Sequence, residues 1–348
     1  MAGVKHVNFA GAFKWDAAFG YGKAEVGLYW GLRAAGVDVT LLGEAADNVF
    51  INQVKLVERG RTPQLAPITI VSYVPDWWNR FFPANLTRRW LFTMNESTKA
   101  ARRMVSQINK NCERLLVTCE DQAKVYRESG VTIPITVIGM GVDYNVPRYE
   151  RRRLPEAGET FHFLTYSYGD MRKGAEKALV AFKKLFDGDP RYHITVKARE
   201  GLDTWLECIE DPQLTVRFGM LHERQWQTML RESHCFLFPS RGEGFGYPPR
   251  EAVLSGLPTI ATRWMGMHDV DCWGMGLDVK ELRRVPDGNH ANADDALWSE
   301  PETEHLVKLM QRVVDNYEGA CDLVDRGRDY LLNENTFKKM GERVAAVL

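Results

Sequence analysis

The sequence has no apolar run long enough to span a bilayer, no basic-then-apolar leader at its start, no short-period repeat and no low-complexity tract. These absences argue against a membrane-spanning or exported chain, and the expected compartment is the cytoplasm. Neither sign of charge is in excess. Lys and Arg number 45 against 46 Asp and Glu, a formal net charge of -1, so no global field advertises nucleic acid or an anionic membrane. A local basic patch remains open. The six cysteines (Cys112, Cys119, Cys208, Cys235, Cys272 and Cys321) include no Cys-x-x-Cys pair. That pattern points to reduced thiols filling core gaps and away from a zinc site.

What the chain does have is length and apolar content. Its 348 residues, 45% hydrophobic and 26% charged, suit two globular domains. KHVNFAG (5–11) reads as a strand, GYGKAEVGLYWGLRAAG (20–36) as an amphipathic helix stopped by Gly36, and VDVTLLG (37–43) as a returning β-branched strand. Strand, helix, strand in that order implies a parallel crossover. Further strands are expected at 68–74, 114–119 and 135–143. YERRRLPEAGET (149–160) is polar and aperiodic, and reads as a linker. The alternation then restarts with strands at 161–167, 193–198, 214–219, 235–240 and 257–262 and helices at 174–186 and 221–233. The expected fold is α/β, with doubly wound domains over 1–150 and 151–348. The last helical stretch, 334–348, either stays with the second or crosses back to the first.

The chemistry concentrates in SRGEGFGYPPREAVLSGLPTIAT (240–262). Ser240 marks the carboxyl end of a buried strand, beyond which open parallel sheets bind ligands. Pro248 and Pro249 suit a first helical turn, which would put Glu251 in that turn against the helix dipole and leave Glu243 on the loop. Gly244, Phe245 and Gly246 allow a close backbone approach to a ligand. Taken singly, Glu251 is equally a helix-start carboxylate and Glu243 a solvated loop residue. In TYSYGDMRKGAEKALVAFKKL (165–185), Lys173 and Gly174 lie where a strand-following loop enters a helix. Free N–H groups plus an ammonium suit a pyrophosphate there. An exposed Arg-Lys pair at a helix start is the other reading. Arg172 is a candidate only, since helical neighbours point apart.

The order EGFGYPPREAVLSGLPTIAT resembles the glutamate–seven–glutamate signature of family-four glycosyltransferases, retaining enzymes of the GT-B fold. The resemblance implies two Rossmann-like domains facing a cleft, with the acceptor bound by the first and the donor by the second. It implies that Glu243 lies beside the donor sugar, that Glu251 accepts from the ribose hydroxyls, and that Gly244, Phe245 and Gly246 meet sugar and phosphate. Lys173 would bind the diphosphate. The family's partner arginine, six residues earlier, is here Ser167. In the first half GYGKAE resembles the glycine-rich donor loop (Gly20, Gly22), IGMGVD a segment before the interdomain linker (Gly141), and LFTMNES a sugar-contacting segment (Asn95, Glu96), with Asn95 where many members have histidine. As an alternative, Glu96 caps the following helix.

The stretch YVPDWWNRFFPANLTRRW (73–90) interleaves aromatics with arginines. It suits acceptor recognition through Trp78, Arg80 and Arg88, a membrane interface, or plain core packing. The implied partner is a UDP- or GDP-linked sugar as co-substrate. The acceptor stays open among glycan, lipid-linked sugar, small molecule, protein and modified nucleic-acid base. Two Asp-x-Asp triplets, Asp187/Asp189 and Asp269/Asp271, lack a metal-site context, and no obligatory metal or cofactor is expected. A glycosidase would leave Lys173 unexplained. A sugar-nucleotide-binding module without turnover is the alternative from another class.

Overall fold

The structure, a computed structural model, describes residues 5–11, 20–42, 66–72, 88–143, 146–169, 171–219, 221–286 and 295–348. It divides into two compact units. The first takes Met1–Tyr144, Val285–Ala296 and Glu334–Leu348, and the second Asn145–Arg284 and Leu297–Asn333.

In chain order the first unit contains β1 (His6–Gly11), α1 (Gly20–Ala34), β2 (Asp38–Leu42), β3 (Thr69–Ser72), β4 (Arg89–Phe92), α2 (Arg102–Asn111), β5 (Arg114–Val117), α3 (Glu120–Glu128) and β6 (Ile135–Val137). Its strands form one parallel sheet in the order β2-β1-β3-β4-β5-β6. Val71, Leu91 and Leu115 of the sheet close on Met104 and Ile108 of α2 and Tyr126 of α3. Strand β4 was not expected. RWLF is four residues long with arginine on its flank, too short for a period-two signal, and it is buried by its neighbours β3 and β5.

The second unit contains β7 (Phe161–Tyr166), a 3-10 turn (Met171–Lys173), α4 (Ala175–Phe186), β8 (Tyr192–Lys197), β9 (Leu214–Arg217), α5 (Glu223–Arg231), β10 (Cys235–Phe238), α6 (Tyr247–Leu254), β11 (Thr259–Thr262), β12 (Met275–Leu277), β13 (Val279–Arg284), β14 (Leu297–Pro301), α7 (Thr303–Asp315) and α8 (Tyr317–Glu334). Its parallel sheet runs β12-β11-β10-β7-β8-β9, so chain direction across the sheet reverses between β7 and β10. Loops leaving those two strands diverge and open a crevice at their carboxyl ends. Helix α4 shows why the layer forms. Ala178, Ala181, Phe182 and Phe186 lie on one buried stripe, Glu176 occupies the first turn, and Lys183 and Lys184 the last. Its phenylalanines meet Phe163 of β7 and Ile194 of β8 in the main core. Burying one such ring contributes about 1.5–3 kcal/mol. The hairpin β13–β14 is antiparallel and stands apart from this sheet.

The segment read as a linker is fastened to the second unit. Tyr149 donates to Asp325 at 2.5 Å, Arg151 pairs with Glu318 and Asp322, and buried Arg152 donates to Leu230 O at 3.0 Å. Its lack of periodicity reflects side chains that each seek a separate polar partner.

A final helix, α9 (Phe337–Ala345), belongs to the first unit and lies on α1. The approach is backbone to backbone. A Cβ on Gly31 would sit 1.9 Å from Phe337 O, and one on Gly341 2.0 Å from Gly31 O. Phe337 N–H donates to Asp143 at 2.7 Å, and the Thr336 hydroxyl caps the helix by accepting from Lys339 N–H.

Candidate active site

The carboxyl ends of β7 and β10 bring the two principal sequence motifs together. Lys173, the last residue of the 3-10 turn after β7, donates to Glu243 Oε1 at 2.6 Å. Ser240 Oγ donates to the same oxygen at 2.7 Å, and Arg172 Nη1 lies 3.3 Å from it. All four side chains are buried. Because 171–173 is a 3-10 turn rather than a regular helix, Arg172 and Lys173 converge on one carboxylate, where helical neighbours were expected to diverge. Arg172 also donates to Gly242 O at 2.7 Å, which ties the β7 loop to the β10 loop.

Gly174 allows this approach. It caps α4 with φ +68°, and a Cβ there would lie 2.0 Å from Pro239 O. Only a residue without a side chain brings the start of α4 against the end of β10. Burial alone would push the Glu243 carboxyl up. The ammonium of Lys173, the guanidinium of Arg172 and the hydrogen bonds from Lys173 and Ser240 outweigh it and hold Glu243 below the usual carboxylate range. The site therefore carries an ionised acid clasped by two cations.

Glu251 lies on α6, which starts at Tyr247 after the left-handed Gly246. That start places Glu251 in the second turn, a correction to the first-turn expectation: Tyr247 and both prolines already fill the first. Its Oε2 accepts from Trp226 Nε1 of α5 at 2.8 Å. Gly244, Phe245 and Gly246 form the buried turn between the two acids. Arg250, 1% exposed, organises this turn by donating to Phe245 O and, at 3.1 Å, to Gly266 O, and it pairs with Asp269 at 2.5 Å. A planar peptide that turns its carbonyl to Arg250 turns its N–H the other way, so the Gly246 N–H points away from the guanidinium.

Behind the acids, Tyr166 at the end of β7 touches Phe238 and Trp226, and the Lys173 ammonium lies 5.9 Å from its ring centroid. Arg241 follows Ser240 and pairs with Glu300 of β14 at 2.7 Å and with Glu176 of α4 at 2.6 Å. Ser299 N–H and Oγ both donate to Arg241 O, so the hairpin is anchored directly behind the Glu243 loop. Arg250, Trp226, Tyr166 and Arg241 were not singled out from sequence. An arginine or tryptophan on an amphipathic helix reads as surface or core filler, and its partner lies elsewhere in the chain. The acids of the two Asp-x-Asp triplets pair with Lys183, Arg191, Arg250 and Arg263.

The first-unit candidates lie apart in character. Gly20 and Gly22 are in the first turn of α1, not in a loop, a correction explained by the helical spacing that begins there. Tyr21 between them fastens that turn to the end of β4: its OH lies 3.3 Å from Thr93 Oγ1 and accepts from Met94 N–H at 3.2 Å. Burial pushes this phenol up to about 12. Asn95 is buried and donates to Ser97 O at 2.5 Å, while its Oδ1 accepts from no donor among the described residues. Glu96 is half-buried and does not cap α2, whose N-cap is Ala101. Gly141 has a packing role, since a Cβ there would meet Phe337 N at 2.3 Å. Arg88 is exposed, at φ +49°, and pairs with Glu113 at 3.0 Å. Trp78 and Arg80, with the rest of 73–87, lie outside the described residues.

Two doubly wound units, each built on a six-stranded parallel sheet, are the architecture of the GT-B fold. The fold resembles that of Anabaena Alr3699/HepE, solved in complex with UDP and glucose, with a TM-score of 0.67 at 10% identity over 99% of each chain. It likewise resembles sucrose-phosphate synthase of Thermosynechococcus elongatus (0.65, 14%, covering 99% of this chain and 98% of that one). Residues 148–270 match the family model described as glycosyl transferases group 1. The serotype-specific mannosyltransferase WbdA of Escherichia coli is 26% identical over 192 residues, 52% of this chain and 23% of the relative's length. The chain thus spans less than a quarter of that relative. Among the described residues no helix is long and apolar enough to cross a membrane.

Proposed function

We propose that the protein transfers a sugar from a nucleoside diphosphate to an acceptor hydroxyl, with retention at the anomeric carbon and without an obligatory metal. The second unit would hold the donor and the first the acceptor. The carrying observation is the buried Lys173–Glu243 pair at the β7/β10 switch point. Breaking the bond from the anomeric carbon to the phosphate oxygen leaves negative charge on the diphosphate and positive charge on the sugar ring. Lys173, Arg172 and the N–H dipoles of the glycine turn oppose the first. Ionised Glu243 orients the sugar hydroxyls and opposes the second.

Glu251, held by Trp226 through one oxygen, would take the ribose hydroxyls. The leaving phosphate oxygen accepts the acceptor's proton as the new glycosidic bond forms, so no separate protein base is required. Cationic side chains supply the charge that a metal supplies elsewhere, which supports metal independence. The neighbour HepE, solved with UDP and glucose and also with UDP-glucose, supports a nucleotide-sugar donor. A thermal-shift panel of UDP-, GDP- and ADP-sugars tests the reading, and one of them should raise Tm. No shift from any would overturn it. A donor that binds yet releases no free nucleotide over hours would make the protein a binding module instead. With the winning donor, activity in excess chelator and the anomeric configuration of the product test the remaining two clauses.

A further inference from the structure

Lys197 ends β8 and is the register partner of Tyr166 on the adjacent parallel strand, so both side chains leave the sheet on the same face. It is 7% exposed. Its ammonium lies 4.7 Å from the centroid of the Tyr166 ring, the ring that Lys173 approaches at 5.9 Å. Lys173 has Glu243 as its counterion. Lys197 has none: among the described residues its Nζ makes no hydrogen bond and no ion pair within 4.0 Å. Asp203 is the acid facing it, and that carboxylate is already occupied. It accepts from Ser167 Oγ at 2.5 Å, from Gly169 N–H at 2.9 Å and from Arg199 N–H at 2.6 Å. The other charged neighbours, Arg199 and Lys173, are cations.

A buried ammonium supported by a ring face alone, beside a second ammonium, is an unfavourable arrangement for an empty protein. Burial pushes Lys197 down to about 8, with Asp203 opposing and the Arg199 and Lys173 charges adding to the fall. An anion able to meet both ammonium groups removes the penalty. Ser167 is uncharged and brings no cation from the β7 loop, and its hydroxyl is spent on Asp203.

We infer that Lys197 is a phosphate ligand of this site, and that it and Lys173 flank the Tyr166 ring to hold the two ends of one diphosphate. The inference rests on the donor reading above and adds a residue to it. Two consequences separate it from a structural role. First, replacing an unpaired buried ammonium with an apolar chain of like length relieves the empty protein while weakening the ligand. Lys197→Met should raise or preserve Tm without ligand, yet reduce affinity for UDP or GDP, whichever the wild type binds, by about tenfold or more. Its preference for the diphosphate over the corresponding monophosphate should shrink. Second, wild-type diphosphate affinity should fall between pH 7 and 9 as the free lysine loses its proton, and Lys197→Arg should flatten that fall.

Calorimetric titration of UDP, GDP, UMP and GMP into the three proteins reads both. Wild type that binds neither diphosphate overturns the donor reading and this inference together. Wild type that binds, with Lys197→Met unchanged in affinity and in diphosphate preference, overturns this inference alone. If Lys197→Met does not fold, the pH profile of Lys197→Arg decides, and a profile identical to wild type overturns it.

Discussion

At the scale of single residues, the site works by sharing one carboxylate oxygen among three donors. Lys173, Arg172 and Ser240 all address Glu243 Oε1, and none of the three bonds its second oxygen. Lys173→Ala should lower kcat by about a hundredfold or more, as loss of a preorganised charge does. Steady-state kinetics with the identified donor checks this, and a change below threefold would refute the assignment. Glu243→Gln keeps the shape and removes the charge. It should abolish the Lys173 ion pair and depress transfer while leaving the nucleotide's own affinity within a few fold.

Glu243, Glu251 and Lys173 were legible because the ordered segments around them resemble a family signature, whose glycines and prolines at fixed offsets impose a turn. Lys197 and Arg250 were not. A lysine at a strand end and an arginine on a helix look solvated until strands and loops from elsewhere bury them. Asn95 was legible as a position, but its environment, a buried amide with an unanswered Oδ1, arises only from the folded neighbourhood.

At the scale of elements, the meeting of α4 with β10 depends on one backbone contact. Gly174→Ala places a methyl group against Pro239 O in a conformation that side chains disfavour. It should cost about 1–3 kcal/mol or more. Denaturant unfolding measures that loss, and a raised donor KM would accompany it because Lys173 moves with the turn. At the opposite ends of the strands, His162 of β7, His193 of β8 and His234 before β10 lie side by side. His234 Nδ1 accepts from His162 N–H at 3.0 Å, which needs a neutral ring. Burial pushes His234 down to about 4, aided by His162 and by Arg152, and also lowers His162 and His193. The unfolded chain therefore takes up protons before the folded one does. Stability should be full above about pH 6.5 and decline as pH falls towards 4. His234→Asn, which keeps an acceptor but cannot be protonated, should flatten that decline in melting curves taken across the window. The long apolar strands were readable from their runs. β4, β12 and the hairpin were not, since three to six residues carry too little pattern and owe their pairing to partners.

At the scale of the molecule, the first unit is assembled from distant pieces of chain, and no local composition marks 285–296 or 334–348 as belonging to it. Gly27, Gly31 and Gly341 read only as weak helix formers in sequence. Their use, letting α9 settle onto α1, is visible once the two helices are side by side. Removing residues 336–348 should lower Tm by several degrees and increase binding of an apolar dye, as the α1 face is uncovered. Gly31→Leu should do the same by overpacking. Calorimetry and dye fluorescence check both, and an unchanged melting curve would refute the packing account. This arrangement also bears on how the protein is made. Helix α1 emerges from the ribosome before its cover, which is translated only after the whole second unit, a delay of about 15–60 s at ordinary elongation speeds. For that interval the nascent chain presents a glycine-notched apolar surface with no mate. Its yield in the cell should therefore depend on chaperone supply more steeply than its finished stability suggests.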